Sequence, residues 1–329
     1  MDTASHFRIL TINRFAVSLQ NEIMFMTKTI SAFEILSPTF GNAVQENVSL
    51  APYTSARIGG PADVLVTVKS KDELASAIRL IWDNNIPYTI LGGGSNVLVS
   101  DAGFRGVVVL NRAKEVKFEL GDQPQVWCEA GVVISNLSRR CIDKALSGLE
   151  WACTVPGTVG GAVYGNAGAY DGDISHNLIW AEVLTENGIE KYSVHQMKYN
   201  YRSSVMKRNE IKMVVLSALL GLKNSTKEEV SVKINEFSER RKSTQPPGAS
   251  MGSMFKNPQG DYAGRLIEAA GLKGKRIGNA EISTVHGNFF VNHGETKASD
   301  VLALIQLAQK TVKEKFDVEL ELEVELVGF

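Results

Sequence analysis

The twenty residues WACTVPGTVGGAVYGNAGAY, Trp151 to Tyr170, carry no charge and hold five glycines. No other part of the chain restricts the fold as much. A run of this length could cross a bilayer. Five glycines, a proline and an asparagine among few large aliphatics argue against a transmembrane helix. What remains is main chain packed close to something flat or charged, where a Cβ would stand in the way.

A second glycine cluster lies upstream, in ILGGGSNVLVSDAG, Ile90 to Gly103. A dinucleotide fingerprint anchored at Gly92 needs its last glycine at position 97, which is Val97, and a helix after it. Val97, Leu98 and Val99 favour a strand instead. A P-loop fails as well, because no Gly-Lys-Ser/Thr completes it. Alone, this loop reads equally well as a structural turn. Together, two glycine clusters set between strands can converge on one diphosphate, with main-chain amides forming an anion nest that needs no helix dipole.

The chain has 329 residues, enough for two or three domains. Lys plus Arg is 35 against 36 Asp plus Glu, so no basic surplus points to a nucleic-acid partner. The hydrophobic share of 44% is ordinary for a soluble protein. Cys128, Cys141 and Cys153 have no metal-ligand spacing and read as buried, reduced thiols, with no metal site. Before Met24 and Met26, apolar residues are interrupted by Arg8, Asn13, Arg14, Gln20 and Glu22, so no secretory segment is read there.

Local patterns give an α+β chain. Ala62–Val68, Tyr88–Leu91 and Val107–Leu110 read as strands. SKDE at Ser70 has capping-box spacing and opens a helix with Leu74, Ile78 and Ile81 on one face, ending near Asn84-Asn85. Gln125–Gly131 reads as a strand and Ile134–Leu146 as a helix with Ile134, Leu137, Cys141 and Ala145 on one side. Asn187-Gly188 marks a hairpin. Met213–Leu222 reads as a strand, and TKEE at Thr226 opens a helix to about Lys242, stopped by QPPG. A short helix over Tyr262–Ala270 follows, then a strand at Asn288–Asn292 and a helix over Ser299–Phe316. The closing VELELEVEL predicts a strand with Val318, Leu320, Leu322, Val324 and Leu326 on one face and Glu319, Glu321, Glu323 and Glu325 on the other.

TSARIGGPADVLV, ILGGGSNVLVSDAGFRGVVV, the uncharged glycine segment, YRSS, GSMFKNP and HGNFFVN occur in that order. Over roughly 47–328 the chain resembles the UDP-N-acetylenolpyruvoylglucosamine reductases, in the shorter of that family's two architectural types. The glycine motifs alone would also suit the wider vanillyl-alcohol-oxidase type of flavin domain. The resemblance implies a two-lobed FAD-binding domain of that type plus a C-terminal α+β substrate domain. The parts are an N-terminal extension over 1–40, partly disordered; a first lobe over 41–111 with a returning strand at 318–329; a second lobe over 112–243; and a substrate domain over 244–317.

It also implies noncovalent FAD, with NADPH as co-substrate and UDP-N-acetylglucosamine enolpyruvate as substrate, in a cytoplasmic monomer with no membrane partner. None of the histidines lies in a glycine cluster, where a covalent flavin link would need one. Carried over residue by residue, Ile58, Gly59, Gly92, Gly94, Ser95 and Asn96 face the cofactor from one side. Pro156, Gly157, Thr158, Gly161, Asn166 and Ala169 line it from the other. Ser253 is the implied proton donor to an enolate-like carbon, although a serine after Gly252 reads by itself as a turn residue. Arg202 would hold the substrate carboxylate in its planar fork. Spacing cannot choose among the terminal glutamates, and the family's closing Glu-Val-x-x-x-Gly falls on Glu323, Val324 and Gly328. Tyr201, Lys256, Asn257, His286 and Asn288 are the implied substrate contacts. The rival readings are a flavin oxidase of the same fold and a non-catalytic flavin-domain binding protein.

Overall fold

A computed structural model describes residues 31–329. Met24, Met26 and His6 lie outside the described residues, as does most of the extension expected over 1–40. The end of that extension is ordered: Ser31 caps the helix Ala32–Phe40, and Leu36 is buried in the adjacent core.

The first sheet has the strand order Val44–Ser49, Pro61–Val68, Phe104–Asn111, Tyr88–Leu91. The last three run parallel and the first antiparallel. The helix Lys71–Asp83 covers one face. It starts where read, because the Ser70 hydroxyl accepts from Glu73 N–H. Its Leu74, Ile78 and Ile81 are fully buried, and each such side chain stabilises the fold by about 1.5–3 kcal/mol.

The second sheet is antiparallel, in the order Gly188–Ser193, Leu178–Thr185, Met213–Gly221, Gln125–Glu129, Val116–Glu119. Its hairpin turns on Glu186 and Asn187, since Thr185 already pairs with Gly188. The helix expected to reach Leu146 is Ile134–Asp143. Ala145 takes φ +54°, which ends the helix, and Leu146–Ser147 pairs with Lys223–Asn224 instead. The third sheet, Ala249–Ser253, Phe289–Asn292, Ala280–Ile282, Arg276–Ile277, packs with the helices Ala263–Ala269 and Ala298–Phe316. The architecture is α+β, and among the described residues no helix is long and apolar enough to cross a membrane.

Two departures from the sequence reading bear on the site. The glycine segment contains a helix, Val159–Gly165, that no local pattern announces. Thr158 caps it, Gly160 packs on Ala130, and Val159 and Val163 are buried, so tertiary packing overrides poor propensity. The terminal alternation does not form one strand. Only Glu325–Val327 joins a ladder, parallel to Val97–Val99. Leu320 and Val324 pack into the C-terminal core, and Val327 packs into the core of the first sheet. The phase flips between them: Leu326 is 39% exposed and Val327 only 8%.

Side chains tie the C-terminal part to the first lobe. Asp101 accepts from Ala298 N–H at 2.7 Å and Ser299 N–H at 3.0 Å, capping the helix Ala298–Phe316 across the interface. Burial pushes its carboxyl up, but those amides and Lys297 outweigh it and hold the pKa below the ordinary value. Asn292 donates to Ala56 O at 2.7 Å. The loop carrying Ile58 and Gly59 is thereby pinned from both sides, with Ile58 buried in the C-terminal core.

Candidate active site

The two glycine clusters meet. A Cβ on Gly92 would lie 2.3 Å from Thr158 Oγ1, and one on Gly93 would lie 2.9 Å from Gly157 Cα. Neither position admits a side chain, so main chain approaches main chain across 64 residues of sequence. Ser95 faces Gly157, whose φ of +104° favours glycine. Arg112 Nη1 donates to Gly92 O at 2.6 Å and Ser55 N–H to Gly94 O at 2.9 Å, fixing the loop. Gly161 differs: an added Cβ would find nothing nearer than Thr158 Oγ1 at 3.7 Å. It is exposed and opens onto free space.

Not every residue expected at the cofactor offers it a side chain. Asn96 Nδ2 donates to Glu323 O at 2.9 Å, and Asn96 O accepts from Glu325 N–H at 2.9 Å. Its amide locks the terminal segment. Ile58 is sealed in the core, and its main-chain N–H and C=O are both bonded to the Thr54 hydroxyl, at 3.1 and 2.9 Å. Pro156 is exposed, and Ala169 sits in the small hairpin Gly168–Ala169 and Gly172–Asp173.

Asn166 ends the helix Val159–Gly165 in the left-handed region and is 5% exposed. Its Nδ2 donates to Asn200 O at 3.1 Å, while its buried Oδ1 has no partner among the described residues. A buried, orphaned acceptor is costly. Beside a cradle of close-packed glycine main chain and the open face of Gly161, it fits a flat, hydrogen-bonding, phosphate-bearing group such as FAD.

A prediction follows from that contrast. A Cβ at Gly161 meets no clash, so Gly161→Val should still fold, with the branched side chain standing on the exposed face proposed for the cofactor. The purified variant should lack the yellow flavin band while its circular dichroism stays close to wild type and its melting transition matches that of flavin-stripped wild type. Stoichiometric flavin in the variant would move the cofactor surface elsewhere.

Asn166 also holds the turn that carries Arg202. Asn200 and Ser203 exchange main-chain hydrogen bonds at 3.1 Å, which places Arg202 at φ +53°. That is a left-handed conformation non-glycine residues seldom adopt, and it persists only where surroundings enforce it. Arg202 Nη2 donates to Gly168 O at 2.7 Å and Nε to Glu323 Oε1 at 2.9 Å. The guanidinium lies 4.9 Å from the centre of the Tyr201 ring, which is itself 52% exposed. Among the described residues, Arg202 Nη1 takes no partner.

The structure separates the terminal glutamates that spacing left equivalent. Each meets a cation: Glu319 meets Lys313, Glu321 meets Lys256, Glu323 meets Arg202, and Glu325 meets Lys207. The Glu323 side chain is 19% exposed, against 84%, 72% and 40% for Glu319, Glu321 and Glu325. Burial pushes the Glu323 carboxyl above its ordinary value, and Arg202, Lys207 and Lys256 pull it back only in part. Lys207 is a residue the sequence reading missed. Its side chain is 14% exposed and bonds Glu325 at 2.7 Å, a long-range pair with no local signature.

Ser253 ends the strand Ala249–Ser253, one residue after Gly252 at φ +76°, and is half-buried. Among the described residues its hydroxyl has no partner. The neighbouring Met254 O accepts from Glu323 N–H at 2.9 Å, so the two segments run side by side. Lys256 is committed to Glu321. Asn257 Oδ1 accepts from Ala263 N–H at 3.1 Å, at the start of the helix Ala263–Ala269. His286 packs on Gly264, and its Nδ1 accepts from Asn288 N–H at 3.2 Å; burial, then Lys273, lowers its pKa. Asn288 is 3% exposed, with both ends of its amide on Phe255 main chain. It therefore sits behind the site.

Residues 243–327 match the family model of the UDP-N-acetylenolpyruvoylglucosamine reductase C-terminal domain, and residues 62–191 match an FAD binding domain. A UDP-N-acetylenolpyruvoylglucosamine reductase of Clostridium novyi is 43% identical over 288 residues, 87% of this chain and 92% of that protein. One of Rubrobacter xylanophilus is 42% identical over 85% of this chain and 93% of its own length. Among solved structures, the reductase of Thermus caldophilus superposes with a TM-score of 0.73 at 37% identity, covering 85% of this chain and 97% of that one.

Proposed function

The chain belongs to the UDP-N-acetylenolpyruvoylglucosamine reductase family, and from that premise we propose how its own residues carry the reaction. It is an oxidoreductase that reduces UDP-N-acetylglucosamine enolpyruvate to UDP-N-acetylmuramate, with FAD as cofactor and NADPH as reductant, in peptidoglycan precursor synthesis. Bound FAD supplies the hydride relay from NADPH to the terminal vinyl carbon of the substrate.

The protein's part begins with the substrate carboxylate. Arg202 receives it on the open Nη1 side of its fork, with Nε and Nη2 already anchored. A guanidinium fixed at two points loses little freedom on binding, so its charge acts in one direction. Ser253 Oγ–H then gives its proton to the carbon next to the carboxylate as that carbon becomes enolate-like. A serine is a weak acid, and only so strong a carbon base would draw on it. Glu323, beside Arg202, is poised to hold a proton once a second anion shares that arginine, because two close carboxylates disfavour joint ionisation. Gly92, Gly94, Ser95, Gly157, Thr158, Gly161 and Asn166 form the cofactor cradle. The remaining assignments keep the chain a cytoplasmic monomer of three parts, two cofactor lobes and a substrate domain, without nucleic-acid or membrane partners.

The observation that carries this reading is the Arg202–Glu323 pair at 2.9 Å, formed across 121 residues of sequence beside the glycine cleft. The test is spectroscopic. The purified protein should be yellow, NADPH should bleach it without oxygen, and substrate added anaerobically should restore the colour in stoichiometric yield. Colour restored by air but not by substrate would favour the flavin oxidase instead.

A further inference from the structure

A proton donor must meet its carbon in one geometry, and the Ser253 side chain has no contact of its own to set that geometry. The chain beside it is held from two directions. On one side Glu323 N–H donates to Met254 O at 2.9 Å and Lys256 N–H to Glu321 O at 2.8 Å. On the other, Ser253 itself pairs with Phe289 in the ladder, and the two residues after it are held by Asn288. Its main-chain O accepts from Met254 N–H at 2.8 Å, its Oδ1 accepts from Phe255 N–H at 2.9 Å, and its Nδ2 donates to Phe255 O at 2.8 Å.

At 3% exposure these bonds form away from water, where each is hard to replace. Each end of the carboxamide bonds Phe255, and at 3% exposure the remaining N–H and lone pair are enclosed away from a soluble ligand. Asn288 is fixed in turn: its own N–H donates to His286 Nδ1, and the His286 ring is wedged against Gly264, where a Cβ would come within 2.8 Å of Cε1.

We infer that Asn288 is a positioning residue for the Ser253 hydroxyl, acting through the Met254–Phe255 main chain, and is not a substrate contact. The inference rests on the proton-donor reading of Ser253. Asn288 reads the main chain as an adjoining strand would, but with a side chain. It holds the segment at the point where Gly252 breaks regular pairing and the ladder shifts register between Ser250 and Ser253.

The test is a double-mutant cycle on the single-turnover rate of substrate reduction. Asn288→Ala and Asn288→Asp are each placed in the wild-type and the Ser253→Ala backgrounds, and substrate dissociation constants are measured alongside. In the wild-type background Asn288→Ala should slow substrate reduction by about 10- to 100-fold, the scale of a displaced reacting group. Substrate affinity and bleaching by NADPH should stay near wild type. In the Ser253→Ala background the same change should cost less than about two-fold, because the group it positions is gone. Asn288→Asp keeps the acceptor for Phe255 N–H and loses the donor, so it should fall between; it also carries the cycle if the alanine variant does not retain flavin.

Equal slowing in both backgrounds would mean a general structural role and overturn the inference while leaving Ser253 as donor. Weaker substrate binding at an unchanged rate would make Asn288 a substrate contact and overturn it too. A wild-type rate in Ser253→Ala itself would sink the donor reading, and the inference with it.

Discussion

Ser253→Ala should lose about two to four decades of substrate-reduction rate while NADPH still bleaches the flavin at close to the wild-type rate. The substitution removes one oxygen. Ser253 follows a glycine at φ +76°, and among the described residues its hydroxyl has no partner, so no hydrogen bond seen there is lost. The NADPH step needs no proton on the substrate carbon. The two half-reactions should therefore separate, and rapid mixing under anaerobic conditions reads them independently. Cysteine at the same position would restore a proton on a longer, softer side chain and should recover only part of the rate. Equal slowing of both half-reactions would place the damage at the flavin and remove Ser253 from proton transfer.

The second large effect belongs to Glu323. Replacing it with alanine leaves Arg202 without its carboxylate partner and removes the group beside the developing charge. Substrate reduction should fall by about two to three decades, the usual loss when one preorganised stabilising group is deleted. Glu323→Gln keeps a donor of similar volume and should lose less. Glu325→Ala should act differently: it strands the largely buried Lys207, so it should lower thermal stability more than rate. A Glu325 variant dead in substrate reduction beside an active Glu323 variant would shift the assignment by one alternation.

The pH dependence of stability offers an independent check. Burial raises the Glu323 carboxyl above its ordinary 4.5, so above that pH the native state binds more proton at this site than the unfolded chain. Stability from this residue is then complete below pH 4.5 and declines as pH rises through the folded value. Glu323→Gln cannot titrate and should flatten that decline in denaturant titrations across the same window.

Sequence by itself determined most elements and the pairing of two glycine clusters, and motif resemblance supplied FAD. Ser70, Thr226 and the apolar face of Leu74, Ile78 and Ile81 act within a few residues, so their helices are legible from local chemistry. The glycine clusters were legible as a pair because absence of side chains is itself a local signal. Arg202, Ser253 and Glu323 were reached only through motif resemblance, and nothing in their spacing ranked them above a turn arginine, a turn serine or a solvated glutamate.

What the tertiary structure alone decided depends on distance along the chain. The helix Val159–Gly165 forms despite its glycines because neighbouring strands bury Val159 and Val163. The terminal glutamates alternate identically, yet only Glu323 is drawn under Arg202, because the segment leaves one core for another and changes phase as it goes. Asn288 reads in the sequence as one polar residue among several, and only the fold places its carboxamide on the Phe255 main chain. Charge pairing, burial and carboxamide satisfaction are set by partners 33 to 121 residues away. Local propensity carries no record of such partners, since each depends on how the sheets pack.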